Sequence, residues 1–144
     1  MLVWLAATTL PAQGGPCGSM FVHAHRGAHT HPENSLSAIV AALRGPWDGV
    51  EIDAYRLGGD QTWVVHHDPI LGRVTSHPGR LLKDMTASAW AEVRLKDRQG
   101  RLTEERAAFL EDVLAESAKY PHKVLNIEAK GGVASCSGMA ELAN

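Results

Sequence analysis

The stretch "GVEIDAYRLGGDQTWVVHHD", from Gly49 to Asp68, decides how this chain folds. Gly49 to Arg56 reads as a strand, "GGD" (Gly58 to Asp60) as a turn, and Thr62 to Asp68 as a second strand rich in β-branched residues and Trp. Glu51 and Asp53 stand two apart, so in a strand they share one face. Paired carboxylates repel one another unless a proton or cation lies between them. A hard cation such as Mg2+ or Ca2+ takes oxygen ligands of this kind. E-x-D also recurs by chance, and a solvent-facing acidic edge is the plain alternative. A hairpin around "GGD" would fold His67 back beside residues 52 and 53, with the register open to a bulge at Gly58-Gly59. His66 alternates to the other face and reads as a packing residue or as a support behind the site.

Working outward, "MFVHAH" (Met20 to His25) is a short β-compatible run. In "PENSLSAIVAALR", Leu36, Ile39, Val40 and Leu43 mark one face of a helix, with Asn34 or Ser35 as N-cap and Gly45-Pro46 as the stop. Beyond the hairpin, a short helix is expected near Ala87 to Lys96. A longer one is expected from Thr103 to Tyr120, with Leu110, Val113 and Leu114 on one face and Pro121 as its breaker. "KVLNIEAK" (Lys123 to Lys130) is a further strand. The order β-α-β-β-α-α-β belongs to an α/β fold. Ionisable groups gather where strands end, at His25-Arg26, Glu51-x-Asp53, His67-Asp68 and Glu128-x-Lys130. Such groups are rarely buried without partners, and in α/β barrels the C-terminal strand ends carry the active site. Glu128 would supply a third carboxylate, His67 an acid or base near neutral pH, and Arg26 a forked donor suited to phosphate. Gly27 lets the backbone turn sharply behind Arg26. His29, His31, His77 and His122 read as solvated.

With 144 residues, 44% apolar and 21% charged, the chain can bury a core, and its formal net charge of -2 gives no basic excess for nucleic acid. No apolar run reaches the roughly 18 residues of a membrane span. Residues 1-19 read as a signal-like or disordered leader with a Gly-rich linker, and 20-144 as the domain. "MLVWLAATTLPA" resembles the apolar part of a secretory signal without its positive flank. The compartment stays open between secreted or periplasmic and cytoplasmic, and Cys17 and Cys136 do not settle it.

"HRG" followed by "PENS", then "DGVEID", "VVHHDPIL" and "LNIEAK", resembles the glycerophosphodiester phosphodiesterase family from about His23 to Lys130. The resemblance implies a phosphatidylinositol-phospholipase-like (β/α)8 TIM barrel, of which the chain would hold about the first four strands. It also implies hydrolysis of glycerophosphodiesters to an alcohol and glycerol 3-phosphate. By position, His25 and His67 take the acid/base roles and Arg26 the phosphate contact. Glu51, Asp53 and Glu128 match the carboxylates for one divalent cation, Mg2+ or Ca2+, and Lys130 the basic residue that follows them. Ser35 replaces the commoner Thr of this family's PENT, and Ala129 a larger aliphatic. A complete barrel takes about 250 residues. The expected partner is therefore a small-molecule glycerophosphodiester, with self-association through open sheet edges and little activity for the chain alone. Two other readings stand beside this one. One is a non-catalytic half-barrel. The other is an amidohydrolase-like site built on His23-x-His25, which explains neither Arg26-Gly27 nor the E-x-D.

Overall fold

The computed structural model describes residues 20–131. The leader over 1-19, the tail after Gly131 and both cysteines lie outside the described residues. The elements are β1 (His23–His25), α1 (Leu36–Arg44), β2 (Gly49–Arg56), β3 (Trp63–Val65), α2 (Ala87–Trp90), β4 (Arg94–Lys96), β5 (Leu102–Arg106), α3 (Leu110–Ser117) and β6 (Val124–Ala129), with a 3-10 turn at Leu82–Asp84.

Strand β2 is the centre. Its residues 49–51 pair in parallel with β1, and residues 49–54 pair in parallel with β6. Its C-terminal end pairs with β3 in antiparallel, Ala54 opposite Val65 and Arg56 opposite Trp63. The Glu51 carbonyl accepts from Arg26 N and the Asp53 carbonyl from His66 N, so β1 and β3 share one edge of β2. The Ala54 carbonyl accepts from Lys130 N, which puts β6 on the other edge. The "GGD" hairpin thus forms, in a register that sets His66 level with Asp53. The sheet has four strands, of which three run parallel and one is the hairpin return.

Alternation along β2 separates chemistry from core. Val50, Ile52 and Ala54 are fully buried on one face and pack with Ile39, Ala42, Leu43, Leu110 and Val113 from α1 and α3. Glu51 and Asp53 take the opposite face. Ser35 caps α1 by accepting from Ala38 N at 3.0 Å, and Gly45 N closes its last turn on Ala42 O. Helix α1 buries Ala38, Ile39, Ala42 and Leu43. The expected stripe is therefore rotated, with Val40 only half-buried, because the small alanines let the helix lie close on the sheet.

A second core lies in the excursion between β2 and α3, where Leu57, Val64, Leu82, Met85, Trp90, Val93 and Leu95 are closed to solvent. Here the structure differs from the sequence reading. The helix expected over 87–96 stops at Trp90 and gives way to β4. The helix expected from Thr103 begins only at Leu110, because Leu102–Arg106 forms β5, antiparallel to β4. Leu110 and Val113 are buried as expected, but Leu114 is exposed.

Candidate active site

Parallel register builds the site. His25 stands opposite Glu51 across β1 and β2, and Asp53 opposite Glu128 across β2 and β6. Because side chains two apart share a face, these groups meet at the C-terminal ends of three neighbouring parallel strands. One carboxylate oxygen from each of Glu51, Asp53 and Glu128 lies within 4.8 Å of the others. Exposure is graded across them, from 1% for the Asp53 side chain and 13% for Glu51 to 58% for Glu128.

Two cations border the acidic group. Arg26 Nε is 3.1 Å from Asp53 Oδ2, and Lys130 Nζ is 3.1 Å from Asp53 Oδ1. Neither contact is aligned as a hydrogen bond, which leaves Arg26 Nε and Asp53 Oδ1 buried without a hydrogen-bond partner. Lys130 Nζ also donates to Glu128 Oε1. Desolvation works against the Lys130 charge, but the nearby Glu128 and Asp53 outweigh it and hold the ammonium above its ordinary pKa. His25 Nε2 lies 3.8 Å from Glu51 Oε2 on an exposed imidazole.

The turn after β1 is strained where it meets the site. Arg26 has φ 57° and Asn34 φ 58°, a region costly for side chains other than Gly. Arg26 N donates to both the carbonyl and the carboxylate of Glu51, at 3.0 Å each. Gly27 has φ 86°, and a Cβ there would fall 2.6 Å from Ala38 Cβ, so only Gly allows the turn to rest on α1.

Asn34 does not cap α1; its role was not foreseen from the sequence. Buried at 3% exposure, it donates through Nδ2 to Asp53 Oδ2 at 2.8 Å and accepts from Asp53 N at 3.3 Å. It thereby holds the most buried carboxylate by both backbone and side chain. Its place inside "PENS" was the available signal. Glu33 was missed as well. It accepts from Arg26 at 3.1 Å and from Arg73 at 2.6 Å. Burial opposes its ionisation, but Arg73 and then Arg26 outweigh that and lower its pKa.

His67 joins this group through a chain of partners. Its Nδ1 lies 2.7 Å from Asp68 Oδ1, and Asp68 Oδ2 accepts from Arg73 Nε at 2.6 Å. Burial of Asp68 is again outweighed, here by hydrogen bonds from His67 and Arg73, so its carboxyl titrates below the ordinary value. His66 is buried edge-on against the Trp90 ring, 5.8 Å between centroids, and desolvation pushes its pKa down to about 4. It is a packing residue, as its alternation implied. His29, His77 and His122 are exposed, and His31 is half-buried.

A divalent cation fits the donor set. Three carboxylates of two strands converge, and one oxygen of the buried Asp53 has no hydrogen-bond donor. No histidine belongs to this group, which gives the His23-x-His25 metal reading no support among the described residues.

The sequence profile of the Glycerophosphoryl diester phosphodiesterase family matches residues 25–142. A Glycerophosphodiester phosphodiesterase of Bacillus altitudinis is 34% identical over 125 residues, covering 83% of this chain and 49% of that protein. Among solved structures, a glycerophosphoryl diester phosphodiesterase of Parabacteroides distasonis matches with TM-score 0.69 and 27% identity, over 90% of this chain and 43% of its own. A phosphodiesterase of Oleispira antarctica, solved with the product sn-glycerol-3-phosphate, matches with TM-score 0.66 and 28% identity, over 85% of this chain and 47% of its own. The chain therefore spans about half the length of these proteins, and its sheet corresponds to part of their barrel.

Proposed function

This chain belongs to the glycerophosphoryl diester phosphodiesterase family, and on that premise we propose that it serves the hydrolysis of glycerophosphodiesters to an alcohol and glycerol 3-phosphate. The observation that carries the reading is the juxtaposition of Glu51, Asp53 and Glu128 within 4.8 Å with two cations against Asp53. That is one acidic pocket for a metal lying beside two donors for a phosphate.

Glu51, Asp53 and Glu128 would hold the cation, Mg2+ or Ca2+, which when bound lowers the charge on phosphate oxygens. Arg26 lies with Nε against Asp53 and donates through Nη1 to Glu33, so a phosphate would meet the remaining edge of its guanidinium. Lys130 adds a second positive charge where negative charge grows in the transition state. One of the two imidazoles, His25 and His67, accepts the proton of the attacking oxygen as its bond to phosphorus forms. The other delivers a proton to the departing alkoxide as the second phosphorus–oxygen bond breaks. With His67 Nδ1 turned to Asp68, its Nε2 remains for this work.

The second reading, a non-catalytic half-barrel, rests on the four-stranded sheet that the described residues form. One assay separates the two. The chain is incubated with glycerophosphodiesters of differing alcohol, after chelation and after return of Mg2+ or Ca2+, and released glycerol 3-phosphate is measured. Metal-dependent release that falls about a hundredfold in His25→Ala and in His67→Ala is expected. Absence of release under every condition would leave the half-barrel reading.

A further inference from the structure

We infer that Arg73 is a positioning residue that ties His67 to Arg26, and so fixes the proton-transfer group relative to the phosphate-binding group. The inference rests on the roles proposed above for those two residues. Arg73 Nε donates to Asp68 Oδ2 at 2.6 Å and Arg73 Nη2 to Glu33 Oε1 at 2.6 Å. Asp68 spends its other oxygen on His67 Nδ1, and Glu33 Oε1 also accepts from Arg26 Nη1. The result is one continuous run, His67, Asp68, Arg73, Glu33, Arg26.

The run joins parts of the fold that are otherwise built separately. Arg26 and Glu33 belong to the turn between β1 and α1, which rests on the first core. Arg73 belongs to a loop fastened to the second. Its neighbour Gly72 donates to the buried Thr75 hydroxyl at 2.9 Å, and Val74 O accepts from Lys96 N at 2.8 Å. A guanidinium suits the post because two of its nitrogens face different carboxylates in one rigid plane. By locking the Asp68 carboxylate, Arg73 keeps Oδ1 on the imidazole and holds the proton at His67 Nδ1. Nε2 is then the ring nitrogen left for proton transfer.

The test compares the full chain with Arg73→Leu and Arg73→Lys. The first readout is the tautomer and exchange of the His67 ring by 15N-histidine NMR, which needs no turnover. The second is kcat and KM for a glycerophosphodiester. Wild type is expected to show a protected Nδ1 proton. Arg73→Leu should lose that protection and about 10- to 100-fold in kcat with KM little changed, and Arg73→Lys, which reaches only one carboxylate at a time, should fall between. Should Arg73→Leu not fold, Arg73→Lys alone decides, by the same two readouts. An unchanged tautomer in the folded variants overturns the inference, whether kcat holds or falls merely with the folded fraction. A protected Nδ1 proton that is lost in Arg73→Leu, in a wild type without turnover, upholds the coupling and removes the phosphodiesterase reading instead.

Discussion

Asn34 shows how much one side chain can carry at this site. It sits past the end of β1, where the Asp53 N–H has no strand to receive it, and supplies both an acceptor for that N–H and a donor for the Asp53 carboxylate. Asn34→Ala removes both bonds from a buried acid and leaves Ala at φ 58°. We predict a loss of about 2–4 kcal/mol, from an unpaired buried polar group together with left-handed strain. Asn34→Gly removes the same bonds without the strain and should lose less, and urea midpoints of the two variants check the order. His66 makes a different prediction. Its pKa is about 4 in the folded chain against an ordinary histidine value of 6.5. Between those values the unfolded chain binds a proton that the folded chain refuses. Stability therefore rises with pH across this window and is lost as pH falls from about 6.5 towards 4. His66→Phe keeps an aromatic against Trp90 and removes the buried Nε2 that has no partner. The gap between its denaturation midpoints at pH 7 and pH 5 should shrink relative to wild type.

Among the elements, α1 is held by more than its own cap. Glu105, on β5, accepts from Ser37 N at 3.2 Å and from Ser37 Oγ at 2.9 Å, placing a carboxylate on the first turn of the helix. We predict that Glu105→Ala lowers stability by about 1 kcal/mol, measured by chemical denaturation, as loss of a helix-capping anion does. The same stretch shows where sequence reading fails. "TEERAAFLEDVLAES" favours helix residue by residue. Yet Thr103 donates its hydroxyl to Leu95 O, and Arg94 and Lys96 pair with Arg106 and Leu102. Propensity is a weak prior against pairing with a distant strand. Helix α1 and strands β1, β2 and β6 were legible because their periodicity, caps and turns are local. The β4–β5 pairing was not, since its partner strand was itself hidden inside a helical expectation.

At the scale of the molecule, the carboxylate cluster was legible and its bracing was not. Two-residue alternation puts Glu51 and Asp53 on one face whatever surrounds them, and parallel register then brings Glu128 alongside. The Arg73–Glu33 pair spans 40 residues, and nothing in the local pattern of either partner announces it. Among the described residues β6 pairs only with β2, and its Lys130 side of the ladder leaves alternate N–H groups, including that of Ala129, facing away. We predict concentration-dependent association of the full chain, read by light scattering, and its reduction by Ala129→Pro, which deletes an outward donor while sparing the ladder to β2. A monodisperse wild type would refute this. Lys130 has one last consequence. Its ammonium already lies against Asp53 and Glu128, so part of the acidic charge is offset by the chain's own lysine. Folding need not wait for a metal. We predict that the chain still unfolds cooperatively after chelation, and that Mg2+ or Ca2+, if bound by the folded acidic face, raises the melting temperature from that baseline.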